Sequence, residues 1–236
     1  MEKKTFNLCL EVLRRFNNAG ILKSVVVIGS WCIYFYRYYF KSKSYSTFIR
    51  TTDIDFLVPL PFKFNKELDL REFLEDLGFR QEFRGSKGYI KLVHPDLTIE
   101  FLVPERGRGS NMPYPLPELK VNAVRLRYLD FLLENTMLLS ANGMEIRLPH
   151  PAAYALHKFI IFKRRRKIDK HDRDIEGALR VFYALIHNND HNAIRSVFNK
   201  MHLKWQKTVL QNLESIEEFE IIDILQSEDR TGSKFK

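Results

Sequence analysis

Ser24-Val-Val-Val-Ile-Gly-Ser30 and Asp53-Ile-Asp-Phe-Leu-Val58 are the two stretches whose reading decides the fold. The first is a continuous β-branched run ending in a Gly-Ser pair, the pattern of a strand buried on both faces. In the second, side chains alternate, so Asp53 and Asp55 project from one face while Ile54 points to the other. Two carboxylates aimed the same way repel each other unless a cation stands between them. A divalent ion is the usual solution, and ions held in this way bind substrate phosphates.

Working outward, residues 5–18 have amphipathic helical spacing, with Phe6, Leu10, Leu13 and Phe16 along one face and a stop near Gly20. Trp31 to Phe40 predicts a helix whose aromatic residues pack on the sheet. Pro59 and Pro61 end the aspartate strand. Residues 68–77 have helical spacing up to Gly78. Strands are expected over 79–83, 89–93 and 97–103, joined by Gly85-Ser-Lys-Gly88 and His94-Pro-Asp96. The last of these, Leu97-Thr-Ile-Glu-Phe-Leu-Val103, carries a third acid, Glu100.

Residues 106–117 form a basic Gly/Pro-rich loop, suited either to a phosphate contact or to a plain surface connection. Asn142-Gly143 marks a tight hairpin. From Ala152 onward the pattern is helical, in four helices, with Lys170-His171-Asp172 reading as a helix start. The expected organisation is an α/β domain over 1–148 and a basic helical domain over 149–236. His150 and His157 lack a third partner at metal-ligand spacing and read as packing or capping residues.

The chain has 236 residues and a formal net charge of +9. Between His157 and Lys207 there are 13 Lys/Arg against 5 Asp/Glu, a local balance of +8 centred on Lys163, Arg164, Arg165, Arg166 and Lys167. Such a concentration is the footprint of a polyanion-binding surface, the alternative being a solvated helix face. Cys9 and Cys32 are the only cysteines, too few for a disulfide scaffold or a cysteine-based zinc site. No apolar run approaches a membrane span and the N-terminus lacks a secretory pattern, so a cytoplasmic protein is expected. Walker A, Gly-x-Ser-x-Gly and Gly-x-Gly-x-x-Gly motifs are absent.

A Gly-Ser pair between strand and helix brings backbone N–H groups and the helix dipole to bear on an anion. Followed by an Asp-x-Asp strand and a strand with a third acid, it makes the chain resemble the nucleotidyltransferase fold of the DNA polymerase β superfamily over residues 24–103. The resemblance implies a mixed α/β sheet flanked by helices and followed by a helical domain. It implies that Gly29 and Ser30 hold the phosphates of an NTP, and that Asp53, Asp55 and Glu100 bind two divalent ions, Mg²⁺ or Mn²⁺. The third position is more often Asp in that family, so the longer Glu100 is expected to shift the second ion or the general base. Leu148-Pro-His-Pro-Ala-Ala-Tyr-Ala-Leu-His-Lys158 with Arg173-Asp174 resembles the C-terminal segment of bacterial proteins related to AbiEii-type toxins. That likeness implies that Lys158 and Asp174 serve the nucleotide site.

The expectation is a metal-dependent transfer of NMP to an acceptor hydroxyl. RNA, a tRNA end in particular, is the leading acceptor, in a toxin or defence protein with an antitoxin partner. Two alternatives stand beside it: transfer to a protein or small molecule, and a non-catalytic nucleic-acid-binding module on the same fold.

Overall fold

The computed structural model describes residues 3–42, 45–49, 51–110, 112–161 and 168–227, with side chains from residue 172 onward in the last segment. The chain forms two units, Met1–Lys41 with Ser46–Pro149, and Ser42–Tyr45 with His150–Lys236.

The first unit opens with α1 (Lys3–Ala19), β1 (Val26–Ile28), α2 (Trp31–Phe40) and β2 (Asp53–Leu57). Then come α3 (Leu70–Phe73), β3 (Arg80–Arg84), β4 (Tyr89–His94) and β5 (Leu97–Pro104). It closes with β6 (Tyr114–Leu116), β7 (Val121–Leu126), α4 (Leu129–Glu134), β8 (Thr136–Ala141) and β9 (Met144–Pro149). Seven strands form one mixed sheet in the order β1-β2-β5-β4-β3, with β7 added to β5 and β6 to β7. The central strand β5 runs parallel to β2 and to β7 and antiparallel to β4. β8 and β9 form a separate hairpin against β1. Asn142 and Gly143 at its turn have φ of 52° and 75°, the left-handed pair that a two-residue hairpin demands.

One face of the sheet is the core. Ile54 and Phe56 on β2 and Phe101 on β5 are buried there against Phe16 of α1. The ring centroids lie 5.0 Å apart for Phe16–Phe56 and 5.6 Å for Phe56–Phe101. The buried stripe of α1 is Cys9, Val12, Leu13 and Phe16, turned from the expected one; Phe6 lies at its border beside Trp31 and Tyr34. At the other face, Asp53 and Asp55 are only half-buried. Burying the hydrocarbon face fixes the strand register, and a slip of one residue would send both aspartates into the core.

Several local expectations give way to tertiary structure. The helix expected over 68–77 is a single turn, α3, capped by Asp69, whose carboxylate accepts the N–H groups of Arg71 and Glu72. A 3₁₀ turn, Glu75–Leu77, then runs to Gly78 at φ 86°. The loop of 106–117 contains β6, and the strand β7 and helix α4 follow it without a strong local pattern of their own.

The second unit contains α5 (Pro151–Ile161), α6 (Ile168–His187), α7 (His191–Asn199), α8 (Leu203–Glu214) and α9 (Phe219–Gln226), five helices among the described residues where four were expected. Helix α5 is buried from Pro151 to Ile160 and is wrapped by α6, α7 and α8. Asn212 of α8 donates to the carbonyl of Phe159 at 2.7 Å. Because α6 begins at Ile168, Asp172 lies inside it rather than at its start. No helix among the described residues is long and apolar enough to cross a membrane.

His150 caps α5: its Nδ1 accepts the N–H of Ala152 at 3.2 Å, which requires that nitrogen to be unprotonated. Burial pushes the imidazole below its ordinary value of 6.5, and the Asp190 carboxylate opposes the shift only in part. The unfolded chain therefore takes up the proton first. Above about pH 6.5 His150 adds no pH dependence, and stability falls as pH drops below that value towards the lower folded-state pKa. His150→Asn keeps a capping acceptor without the titration. Urea midpoints of wild type and variant are expected to diverge between about pH 7 and pH 5, the wild type losing more. Parallel profiles would show that His150 is not the group responsible.

Candidate active site

The site grows from the junction of β1 and α2. All three residues of β1 are buried, and Ile28 pairs with Asp55 of the antiparallel neighbour β2. The chain leaves the sheet at Gly29, whose φ of 76° is left-handed, and enters α2 through Ser30. Two constraints meet at Gly29. The positive φ disfavours any side chain, and a Cβ there would stand 2.7 Å from Oδ2 of Asp55. The turn thus lies directly against the second aspartate. Ser30 makes no side-chain capping bond, and the first turn of α2 contains no acid. The partial positive charge of the helix N-terminus is then available to an outside anion.

Asp53 and Asp55 share one face of β2, as the alternation requires. Thr51 pins the strand entry, its hydroxyl accepting the N–H of Asp53 at 3.2 Å and donating to its carbonyl at 3.1 Å. The parallel register places Asp55 opposite Glu100 and Asp53 opposite Thr98. All three acids therefore lie on the same half-open face of two adjacent central strands.

Glu100 is not free, however. It is paired with the ammonium of Lys91, a residue that the sequence reading passed over. Lys91 is on β4, and β5 lies between β4 and β2. The pair therefore draws the third carboxylate towards the side of β5 away from Asp55. Among the described residues, no three His, Cys, Asp or Glu side chains converge closely enough to hold a metal ion. The donors are hard carboxylate oxygens of the kind Mg²⁺ and Mn²⁺ prefer, so the residues suit such an ion in kind. Glu100 fits once it leaves Lys91. The signal for Lys91 was readable: a tight His94-Pro-Asp96 turn brings Tyr89-Ile-Lys91-Leu back along Ile99-Glu100, with Lys91 on the acid face.

In the second unit, Lys158 of α5 and Asp174 of α6 form an ion pair at 2.6 Å, with side chains 8% and 17% exposed. The Lys158 ammonium also lies 5.5 Å from the centre of the Tyr154 ring. The two residues singled out by resemblance are thus partners of each other. Residues 163–167, the centre of the basic run, lie outside the described residues.

A strand-to-helix turn whose N–H groups can face an anion, packed on carboxylates that suit a divalent ion, is equipment that chemistry on nucleotide phosphates can use. The chain belongs to the nucleotidyltransferase family: that family's model matches residues 7–202. Among solved structures, the antibiotic-resistance factor ANT(2'')-Ia in solution is 12% identical over 93% of this chain and 98% of its own, with a TM-score of 0.47. An antigenic nucleotidyltransferase-like protein from Paracoccidioides brasiliensis is 14% identical over 89% of each chain, with a TM-score of 0.47. ANT(2'')-Ia in complex with adenylyl-2''-tobramycin is 12% identical over 77% of this chain and 97% of that one, with a TM-score of 0.41. No curated protein matches the chain.

Proposed function

We propose that this nucleotidyltransferase moves NMP from an NTP to an acceptor hydroxyl, with RNA as the acceptor and a tRNA end as its leading form. The observation that carries the transfer reaction is the packing of Gly29 on Asp55, which joins a phosphate-binding turn to an acid pair in one short stretch of sheet. In this reading Asp53, Asp55 and Glu100 hold two divalent ions, Mg²⁺ or Mn²⁺. Such ions supply charge neutralisation for the attacking and leaving oxygens. The backbone at Gly29-Ser30 holds the triphosphate, and Lys158, oriented by Asp174, offsets the charge that grows on the departing pyrophosphate. Glu100 takes the proton of the attacking hydroxyl.

Support for RNA comes from the sequence: a local charge of +8 between His157 and Lys207 matches a polyanionic acceptor, with Lys163 to Lys167 as its contact run. A cytoplasmic toxin or defence protein related to the AbiEii-type group, held in check by an antitoxin, is consistent with that acceptor.

The test is to incubate the enzyme and Mg²⁺ with each labelled NTP in turn, together with total RNA, purified tRNA, candidate proteins and small hydroxyl compounds. Label is expected in RNA and concentrated at tRNA ends. Label confined to protein or to small molecules would overturn the RNA assignment while keeping the transfer reaction. Salt-sensitive RNA binding without any NTP turnover would leave only a binding module.

A further inference from the structure

The ion pair between Glu100 and Lys91 is at odds with a ready-made three-acid site, and it rests on the sheet itself. Lys91 and Glu100 lie on neighbouring antiparallel strands, two positions along from the paired Val93 and Thr98, and so share one face. That face also carries Asp53 and Asp55. The side chains are 26% and 19% exposed, near enough to solvent to separate without unpacking the core. Three carboxylates on two adjacent strands repel one another, and the Lys91 ammonium offsets part of that repulsion at Glu100.

We propose that Lys91 is an internal counter-cation that occupies Glu100 in the resting enzyme and competes with a divalent ion for that carboxylate. This inference rests on the metal-binding reading of the three acids. Its consequence is graded affinity. An ion that needs Glu100 must first displace the ammonium. Lys91 thereby holds the third carboxylate in reserve and makes completion of the site depend on divalent ion concentration. It is a positioning residue, acting through Glu100.

The experiment measures Mn²⁺ binding to NTP-free protein by electron paramagnetic resonance, for wild type, Lys91→Met, Lys91→Arg and Lys91→Met/Glu100→Gln. Thermal unfolding is followed with and without Mn²⁺. The weaker Mn²⁺ site is expected to tighten roughly tenfold in Lys91→Met, the size of effect that one nearby opposite charge has on a carboxylate. Lys91→Arg retains wild-type affinity, and the gain disappears in the double variant. Metal-free Lys91→Met melts below wild type, and Mn²⁺ raises its melting temperature by more. Unchanged Mn²⁺ affinity in Lys91→Met, or the same gain in the absence of Glu100, would overturn the role of Lys91. Failure of every variant to bind Mn²⁺, wild type included, would overturn the metal-site reading beneath it, and this inference with it.

Discussion

Asp53→Ala/Asp55→Ala is expected to lower NMP transfer at least ~10³-fold while leaving the protein folded, its stability within about 1 kcal/mol of wild type. Both side chains face the half-open side of β2, and neither contributes to the packing of Ile54 and Phe56 on the other face. Deleting them costs no buried hydrocarbon and removes like charges from a face that also carries Glu100. Catalysis has the opposite dependence, because in the proposed site these two carboxylates are the donors that bring a divalent ion to the triphosphate. The checks are initial rates of labelled-NTP transfer and urea denaturation, run on the same preparations. Full activity in the double variant, or wild-type transfer undiminished by a chelator, would overturn the proposed mechanism. Lost activity accompanied by unfolding would instead mean that the acids are structural.

Legibility in the sequence follows a physical division. Local signals were strong where a segment's own burial decides its structure: β1 is an unbroken β-branched run, β2 alternates, and the hairpin of β8 and β9 has its Asn142-Gly143 turn. They failed where a distant partner decides. β7 has only a short alternating pattern and becomes a strand by pairing with residues 102–104 of β5. Residues 68–77 have helical spacing, but the helix starts only after the Asp69 cap, stops at Leu74 and gives way to a 3₁₀ turn that the left-handed Gly78 ends.

The site divides in the same way. The coplanar aspartates follow from alternation alone, and the alignment of Asp55 with Glu100 follows from the parallel register, which no local pattern specifies. Lys91 lay in plain view, yet became significant only when β4 returned beside β5. A lysine on an exposed strand face has many solvated explanations; one opposite a candidate metal ligand has a specific electrostatic consequence.

Gly29→Ala is the sharpest single test of the turn, because two separable penalties fall on one methyl group. The first is conformational: at φ 76° an alanine costs about 1–2 kcal/mol relative to its preferred region. The second is steric, since the new Cβ would stand 2.7 Å from Oδ2 of Asp55 and one of them must move. Together they are expected to destabilise the protein by about 2–4 kcal/mol. A carboxylate displaced by as little as an ångström is expected to lower transfer about 100-fold or more. The two penalties come apart in a double-mutant cycle. In an Asp55→Ala background the steric conflict is gone and only the conformational cost remains, so Gly29→Ala should there cost at least about 1 kcal/mol less. Additive stabilities would place the whole effect in the backbone and leave the turn's contact with Asp55 without energetic weight. Wild-type stability and activity in Gly29→Ala would overturn both halves of the argument, since the turn would then tolerate a side chain where the proposed phosphate-binding backbone must lie bare against the acid.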